Sequence, residues 1–205
     1  LMSILGEDLN ASAYRHFRRN KVDILNDSVL PGTIKGKRLD RWIVDKENRK
    51  LYQCEIKNWA ATAIGGRHLR SDASDEDAKK VVEYHWSREL SSNLSRKAEH
   101  PNGVTKVLLQ MKPPEKYRNI RKTEPLLIFW MPISSDRRVL NPLSDLSVKS
   151  LHLPIKTKFS KLHVFSVSLY LRQLYKKGKG QKFIDLEIPH FEHRMKILAK
   201  FRKRT

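Results

Sequence analysis

The sequence predicts an α/β fold, and its alternating helical and strand patterns and its apolar content both support that class. Apolar residues at helical spacing alternate with short apolar runs of strand type along the 205 residues. Apolar residues make up 39% of the chain, a little low for a globular protein, but apolar runs at 107–109, 126–133 and 162–171 argue against wholesale disorder. A chain of this length can bury a real core, so one domain is the default expectation.

The first elements are predicted to be a helix, a strand and a hairpin. Residues 7–19 begin acidic and end basic, an order that suits the helix dipole. One apolar stripe is expected along this helix: Leu9, Ala13, Tyr14 and Phe17. Residues 22–30 form the next predicted strand, which ends at a Pro-Gly pair. Residues 38–45 and 51–59 then alternate around the turn KENRK, a pattern typical of a hairpin.

The rest of the chain is predicted to continue with mixed helices and strands. Residues 60–75 have no clear period and are expected to form a loop, and Ser74 or Asp75 is expected to cap a helix that reaches about residue 95. The remaining predicted elements are a strand at 104–111, a basic loop or short helix at 112–122, a strand at 125–133, a strand at 162–167, a helix at 168–177 and a helical tail at 190–205.

The charge balance is the strongest global signal in the sequence. Lys and Arg number 42 against 22 Asp and Glu, which gives a formal net charge of +20. Self-repulsion at this charge disfavours a compact chain, so a polyanionic partner is expected. DNA or RNA is the first candidate, because neutralising phosphates releases counterions. The alternative is a merely soluble or ribosome-type basic protein.

Cysteine content and hydropathy exclude further classes of protein. The single cysteine, Cys54, excludes an intramolecular disulfide and a cysteine-based zinc site. No apolar run approaches the roughly 18 residues of a membrane span, and the N-terminus lacks a basic-then-apolar signal pattern. We therefore expect no membrane partner and a cytoplasmic location.

One face of the predicted hairpin is unusually polar. Alternate residues of a strand share a face, so Gln53, Glu55 and Lys57 point together. If the KENRK turn closes the hairpin at its centre, position 55 pairs with about position 40 and Asp40 lies beside Glu55. Two adjacent carboxylates repel unless a cation lies between them, and such hard oxygen ligands suit Mg²⁺ or Mn²⁺.

The lysine at the end of this face completes a candidate hydrolytic site. Lys57 could activate a water molecule or stabilise charge on a phosphorane. A second acid-x-Lys pair, Asp77 and Lys79, falls in a predicted helix, where the two residues do not share a face. The alternative for the hairpin is a solvated strand face with a weak cross-strand salt bridge.

This arrangement resembles the PD-(D/E)xK nuclease superfamily, whose core is a helix, three strands, a helix and a strand. Residues 7–110 are predicted in that order, so the resemblance covers about half of the chain. Asp40, Glu55 and Lys57 match the signature, and Leu39 stands where the family often has proline. Glu7 matches the extra acidic residue that many members carry on the first helix.

The resemblance implies a restriction-endonuclease-like core with a mixed central β-sheet flanked by helices. That core would occupy residues 1–135. Residues 136–205 would form a basic C-terminal extension packed on the core as one domain.

The activity implied by the resemblance is Mg²⁺-dependent hydrolysis of DNA phosphodiesters, with Mn²⁺ able to substitute. Asp40, Glu55 and the Ile56 carbonyl would hold the metal, and Lys57 would orient or deprotonate the attacking water. Glu7 would bind a second metal or a metal-bound water, and Gln53 is a candidate accessory residue.

The expected partner is DNA. Candidate DNA-binding residues are basic and lie after the catalytic strand, in the loop at 112–122 and near the C-terminus: Arg67, Arg70, Lys112, Lys116, Arg118, Arg121, Lys122 and Lys203. Restriction, transposition and repair enzymes all remain open, and symmetric cutting of a duplex would need a homodimer. A partner protein is a further possibility. The alternatives are a non-catalytic nucleic-acid-binding protein that retains the fold and an RNA-directed enzyme or ribosome-associated factor.

Overall fold

A computed structural model describes most of the hairpin and the strands around it. The described residues are 2–25, 39–57, 74, 76–77, 80, 83, 103–120, 122–130, 134–135, 138–139, 141–153, 155–178 and 196. The elements within them are α1 (Met2–Phe17), β1 (Val22–Ile24), β2 (Arg41–Asp45), β3 (Lys50–Lys57), α2 (Gly103–Val107), a 3₁₀ turn (Glu115–Tyr117), β4 (Lys122–Phe129), β5 (Ser134–Ser135), β6 (Arg138–Val139), β7 (Leu143–Ser147), a 3₁₀ turn (Lys149–Leu151), β8 (Lys161–Ser166) and α3 (Val167–Gly178).

Among the described strands, six form one mixed sheet in the order β1-β2-β3-β4-β8-β7. The first three strands are antiparallel neighbours, and β4 then lies parallel to both β3 and β8. The edge strand β7 is antiparallel to β8. The strands β7 and β8, which follow residue 136 in the sequence, therefore belong to the same sheet as the hairpin. The strands β5 and β6 form a small separate ladder.

Both faces of this sheet are covered. Tyr14 of α1 and Tyr170 of α3 pack with Tyr52 of β3 and Phe165 of β8 in one buried cluster. A second buried cluster joins α2 to the opposite side chains of β4 and β8, and its members include Val104, Val107, Leu108, Leu127, Phe129, Leu162 and Val164. The fold is therefore α/β, with helices on the two faces of a mixed sheet.

The hairpin forms as its alternation predicts. Arg41 pairs with Cys54 and Asp45 pairs with Lys50, so the turn spans the four residues between β2 and β3. The Asp45 carboxylate accepts hydrogen bonds from the backbone and side-chain N–H groups of Asn48, at 3.0 and 2.9 Å. This side chain stabilises the turn and so fixes the register of the two strands.

The first helix differs in detail from its prediction. It begins at Met2, so Glu7 lies inside α1 and not at its start. The expected apolar stripe is wrong at Leu9, which is 38% exposed, whereas Ala11 and Tyr14 are buried against the sheet. The buried face of α1 therefore includes Ala11 and Tyr14 but not Leu9.

The strand predicted at 104–111 is wrong, because Gly103–Val107 form the short helix α2. Val104, Val107 and Leu108 recur at helical spacing, and all three are buried on the sheet. A short apolar run fits either period, and its β-branched residues favoured the strand interpretation. The family-like order is completed instead by β4, which occupies Lys122–Phe129 and not the predicted 125–133.

Later predictions are largely confirmed within the described residues. A strand at Lys161–Ser166 passes directly into the helix Val167–Gly178. Ser74 acts as a helix cap, because its Oγ accepts a hydrogen bond from the Asp77 N–H at 3.2 Å. The expected loop at 60–75, most of the following helix and nearly all of the helical tail lie outside the described residues.

Candidate active site

The hairpin brings Asp40 and Glu55 to the same end of the sheet. One step beyond the Arg41–Cys54 pair, the register places Asp40 opposite Glu55, which confirms the predicted pairing. The Asp40 carboxylate also accepts a hydrogen bond from the backbone N–H of Ile56 at 2.7 Å. Asp40 is thus held by the strand that carries the other acid.

Glu55 is a buried carboxylate in contact with two ammonium groups. Its side chain is only 4% exposed, and Lys57 Nζ lies 3.3 Å from Oε1. Lys106 Nζ lies 2.6 Å from Oε2 in an ion pair. Glu55 is therefore compensated by charge, which a buried carboxylate requires.

Lys106 is a site residue that sequence reasoning missed. It projects from α2, and its Nζ also lies 3.8 Å from Asp40 Oδ1. One ammonium therefore contacts both carboxylates of the predicted pair. The available signal was a lone lysine within the apolar run VTKVLL, but the strand prediction for that run gave no reason to place it at the hairpin.

Burial and charge together set the protonation of Glu55. Burial raises the pKa of this carboxyl most strongly, and the neighbouring Asp40 charge raises it further. Lys106 and Lys57 lower it, and the net result is a pKa of about 7. Even with two lysines beside it, the Glu55 carboxyl therefore holds its proton more tightly than a solvated glutamate does, as its raised pKa shows.

Gln53 forms hydrogen bonds with the backbone segment that follows Lys106. The Gln53 side chain is fully buried, and its amide N–H groups donate to the carbonyl oxygens of Val107 and Leu109, the latter at 2.6 Å. The Met111 N–H donates in return to Gln53 Oε1 at 3.3 Å. These bonds give Gln53 a structural role, in that they fix the C-terminal end of α2 beside Glu55.

Glu7 and Asp8 of the first helix are linked to the site through Arg41. Arg41 Nη2 lies 2.7 Å from Asp8 Oδ1, whereas its Nη1 lies 3.9 Å from Glu7 Oε2. Nη1 also donates to the backbone carbonyl of Asp40 at 2.6 Å. Of these two acids, Asp8 lies closer to Arg41. Sequence reasoning missed Asp8, although it is buried with Ala11 and Ser12 at helical spacing.

The residues at this end of the hairpin suit a small divalent cation. The Asp40 and Glu55 carboxylates already share one cation, the Lys106 ammonium. The N–H and C=O groups of one strand residue point toward the same neighbouring strand. Because the Ile56 N–H donates to Asp40, the Ile56 carbonyl also points toward Asp40, just before the start of β2. Mg²⁺ is commonly held by one or two carboxylates and completes its shell with water, so this donor set fits it. Across the described residues, no cluster of three or more Asp, Glu, His or Cys side chains is arranged to hold a metal.

The predicted DNA-binding residues fall into two groups. Lys112, Lys116, Arg118 and Lys122 are exposed, and the first three follow directly on the segment held by Gln53. Lys122 forms an ion pair with Glu124 at 2.6 Å, and Arg118 forms one with Glu115 at 3.1 Å. The other predicted contacts lie outside the described residues: Arg67, Arg70, Arg121 and Lys203.

Comparison with known proteins gives no relative for this chain. No family model matches it, and no match was found among the curated proteins or among the solved structures. None of the helices in the described parts of the chain is both long and apolar enough to span a membrane. The functional assignment therefore depends on the geometry of the site.

Proposed function

We propose that this chain is a Mg²⁺-dependent DNA endonuclease with a PD-(D/E)xK-type, restriction-endonuclease-like core. The observation that carries the proposal is the convergence of Asp40, Glu55 and Lys57 at one end of the hairpin, where the two acids share a cation. A solvated strand face would explain these residue types, but Glu55 is buried and not solvated.

The order of the elements supports the same proposal. A helix is followed by three antiparallel strands, then by helical residues at 76, 77, 80 and 83 and the short helix α2, and then by β4 parallel to β3. That is the order of helix, three strands, helix and strand that the resemblance implies. The candidate acids lie just before the second strand, at Asp40, and near the end of the third, at Glu55, as the signature implies.

Each residue of the site has a defined chemical part in the proposal. Asp40, Glu55 and the Ile56 carbonyl would hold the metal, which polarises the phosphodiester and lowers the pKa of a bound water. The Lys57 ammonium, 3.3 Å from Glu55, orients that water and stabilises charge that develops on the phosphorane. Glu7 and Asp8 support Asp40 through Arg41, so their part in the reaction is positional.

The charge distribution supports DNA as the substrate. A net charge of +20 favours a polyanion, and Lys112, Lys116 and Arg118 are exposed on the segment that continues from the site. Cutting both strands of a duplex symmetrically would require a homodimer or a partner protein. The cytoplasmic location expected from the sequence belongs to the same proposal.

A second candidate is a non-catalytic nucleic-acid-binding protein with the same fold. It is favoured by the ion pairs of Glu55, because two lysines that neutralise a buried acid can serve structure alone. Under this candidate, the basic surface binds nucleic acid and the acidic pair stabilises the hairpin. RNA could then replace DNA as the partner, and competition between the two duplexes at fixed salt would distinguish them.

Binding and cleavage of one labelled DNA duplex by wild type and Glu55→Gln separate the two candidates. The endonuclease proposal expects Mg²⁺-dependent cleavage by wild type, and a loss of cleavage in Glu55→Gln with DNA binding retained or tightened. Glu76→Gln is the matched control, because Glu76 is 77% exposed and pairs with Lys80 four residues along the chain. Equal binding by all three proteins with no cleavage by wild type would favour the binding protein.

A further inference from the structure

Lys106 occupies the position between the two acids of the candidate metal site. Its Nζ lies 2.6 Å from Glu55 Oε2 and 3.8 Å from Asp40 Oδ1. We propose that Lys106 is a built-in competitor of the divalent cation, so that metal binds only when the ammonium leaves the Asp40–Glu55 pair. The inference rests on the metal site of the proposed function and adds a residue that controls its occupancy.

Burial explains why the lysine and the metal exclude each other. The side chains of Glu55, Lys106 and Asp40 are 4%, 18% and 22% exposed, so little water lies between their charges. Like charges a few ångströms apart repel strongly where water is scarce. A divalent ion held by both carboxylates would lie about 2.1 Å from their oxygens, within the space that the ammonium now fills.

Lys57 does not occupy the same position. Its Nζ contacts Oε1 of Glu55 at 3.3 Å, and its side chain is 30% exposed. Lys106 contacts the opposite oxygen, Oε2, and its Nζ also lies 3.8 Å from Asp40 Oδ1. The competing role therefore belongs to Lys106, and Lys57 can remain beside the metal.

The release of Lys106 requires a movement of its side chain alone. Gln53 binds the backbone of Val107 and Leu109, which fixes the end of α2 on the sheet. Val104 and Val107 are fully buried, so the helix itself is anchored on either side of Lys106. A lysine has a flexible stem of four carbons, which allows the ammonium to leave while α2 stays in place.

Calorimetric titration of Mn²⁺ into the full chain tests this competition directly. Lys106→Met should bind Mn²⁺ about tenfold more tightly than wild type, the equivalent of one ion pair that no longer has to be broken. Lys106→Arg retains a competing cation and should stay within about threefold of wild type. Lys176→Met, which removes an exposed lysine at the end of α3, should bind as wild type does. Circular dichroism of each variant checks that it folds.

A second measurement uses the wild-type chain and needs no variant. Acetylation of lysines by an amine-reactive ester, followed by mass spectrometry, reports how free each ammonium is. Addition of Mg²⁺ should raise the labelling of Lys106 roughly threefold or more, as expected when a largely buried ion pair opens. The labelling of Lys176, an exposed lysine of α3, should not change.

The outcomes separate this inference from the proposed function. Tighter Mn²⁺ binding by Lys106→Met supports the inference even if no variant cleaves DNA. The absence of DNA cleavage would instead overturn the proposed nuclease. Equal or weaker Mn²⁺ binding by a folded Lys106→Met, or Lys106 labelling that Mg²⁺ leaves unchanged, overturns the inference while wild-type cleavage still supports the nuclease. No Mn²⁺ binding by wild type or Lys106→Met overturns both.

Discussion

The backbone N–H of Ile56 donates a 2.7 Å hydrogen bond to the carboxylate of Asp40. Asp40 precedes β2, and this bond holds its side chain against the end of β3, beside Glu55. The guanidinium of Arg41 adds a 2.6 Å hydrogen bond to the Asp40 carbonyl. Both the main chain and the side chain of Asp40 are therefore oriented before any ligand binds, which is the preorganisation that a metal site needs.

Replacement of Asp40 separates its charge from its hydrogen bond. Asp40→Asn keeps an oxygen that can accept from Ile56, so its free energy of unfolding should change by less than about 1 kcal/mol. Its Mg²⁺-dependent DNA cleavage should fall roughly 100-fold or more, because a metal ligand loses its charge. Cleavage at the wild-type rate by Asp40→Asn would remove Asp40 from the proposed metal site.

The raised pKa of Glu55 predicts how stability depends on pH. Folding raises this pKa from 4.5 to about 7, so the folded chain holds the proton more tightly than the unfolded chain does. The resulting stabilisation is complete below the unfolded value and is lost as the pH rises through about 7. Glu55→Gln stays neutral and should escape this loss.

Urea unfolding of wild type and Glu55→Gln between about pH 5 and about pH 8 checks this sign. Over that range the wild type should lose up to about 3 kcal/mol more than Glu55→Gln does. Glu76→Gln serves as the exposed control and should follow the wild type. Parallel curves for wild type and Glu55→Gln would show that Glu55 does not titrate in this range.

Gln53 is predicted to contribute to stability through its bonds to the main chain. Gln53→Leu would leave the carbonyls of Val107 and Leu109 and the N–H of Met111 without this buried partner. The free energy of unfolding should fall by about 2–4 kcal/mol, measured by urea denaturation. Gln110→Leu changes an exposed glutamine on the same segment and should cost less than about 0.5 kcal/mol. A similar small change for both would contradict the structural role of Gln53.

The basic segment after α2 is predicted to contact DNA phosphates. The double variant Lys112→Ala/Lys116→Ala should weaken duplex binding and reduce the slope of log affinity against log salt by up to about 2. Fluorescence anisotropy over a range of salt concentrations measures both quantities. Lys176→Ala/Lys177→Ala removes two exposed lysines at the end of α3 and is the charge-matched control. An equal loss in both variants would mean that binding depends on net charge and not on this segment.

The hairpin and its acidic pair could be predicted because local rules determine them. Period-two alternation fixes which residues of β2 and β3 share a face, and the length of the turn fixes the register. Asp40, Glu55 and Lys57 follow from those two rules alone. The transition from β8 to α3 could also be predicted from local sequence. The spacing of apolar residues changes there from the strand period to the helix period within one continuous run.

Lys106 and Asp8 could not be predicted, because their roles depend on contacts between distant parts of the chain. Lys106 reaches Glu55 only because α2 packs on the sheet and Gln53 holds its end. Asp8 lies nearer to Arg41 than Glu7 does because α1 buries the Asp8 side chain against the sheet, and which side of α1 is buried is a tertiary contact. The run at 104–111 also fits both periods, so its helix is decided by packing and not by propensity.

Plasmid nicking by the wild-type chain beside Lys57→Ala, with Mg²⁺, Mn²⁺ or EDTA, tests the central proposal most directly. Lys57 is 30% exposed, so its replacement should leave the fold intact while it removes the ammonium beside Glu55. We predict nicking by wild type with Mg²⁺ or Mn²⁺, none with EDTA, and none with Lys57→Ala. Equal nicking by Lys57→Ala, or no nicking by a wild-type chain that still binds the plasmid tightly, would contradict the proposed nuclease site.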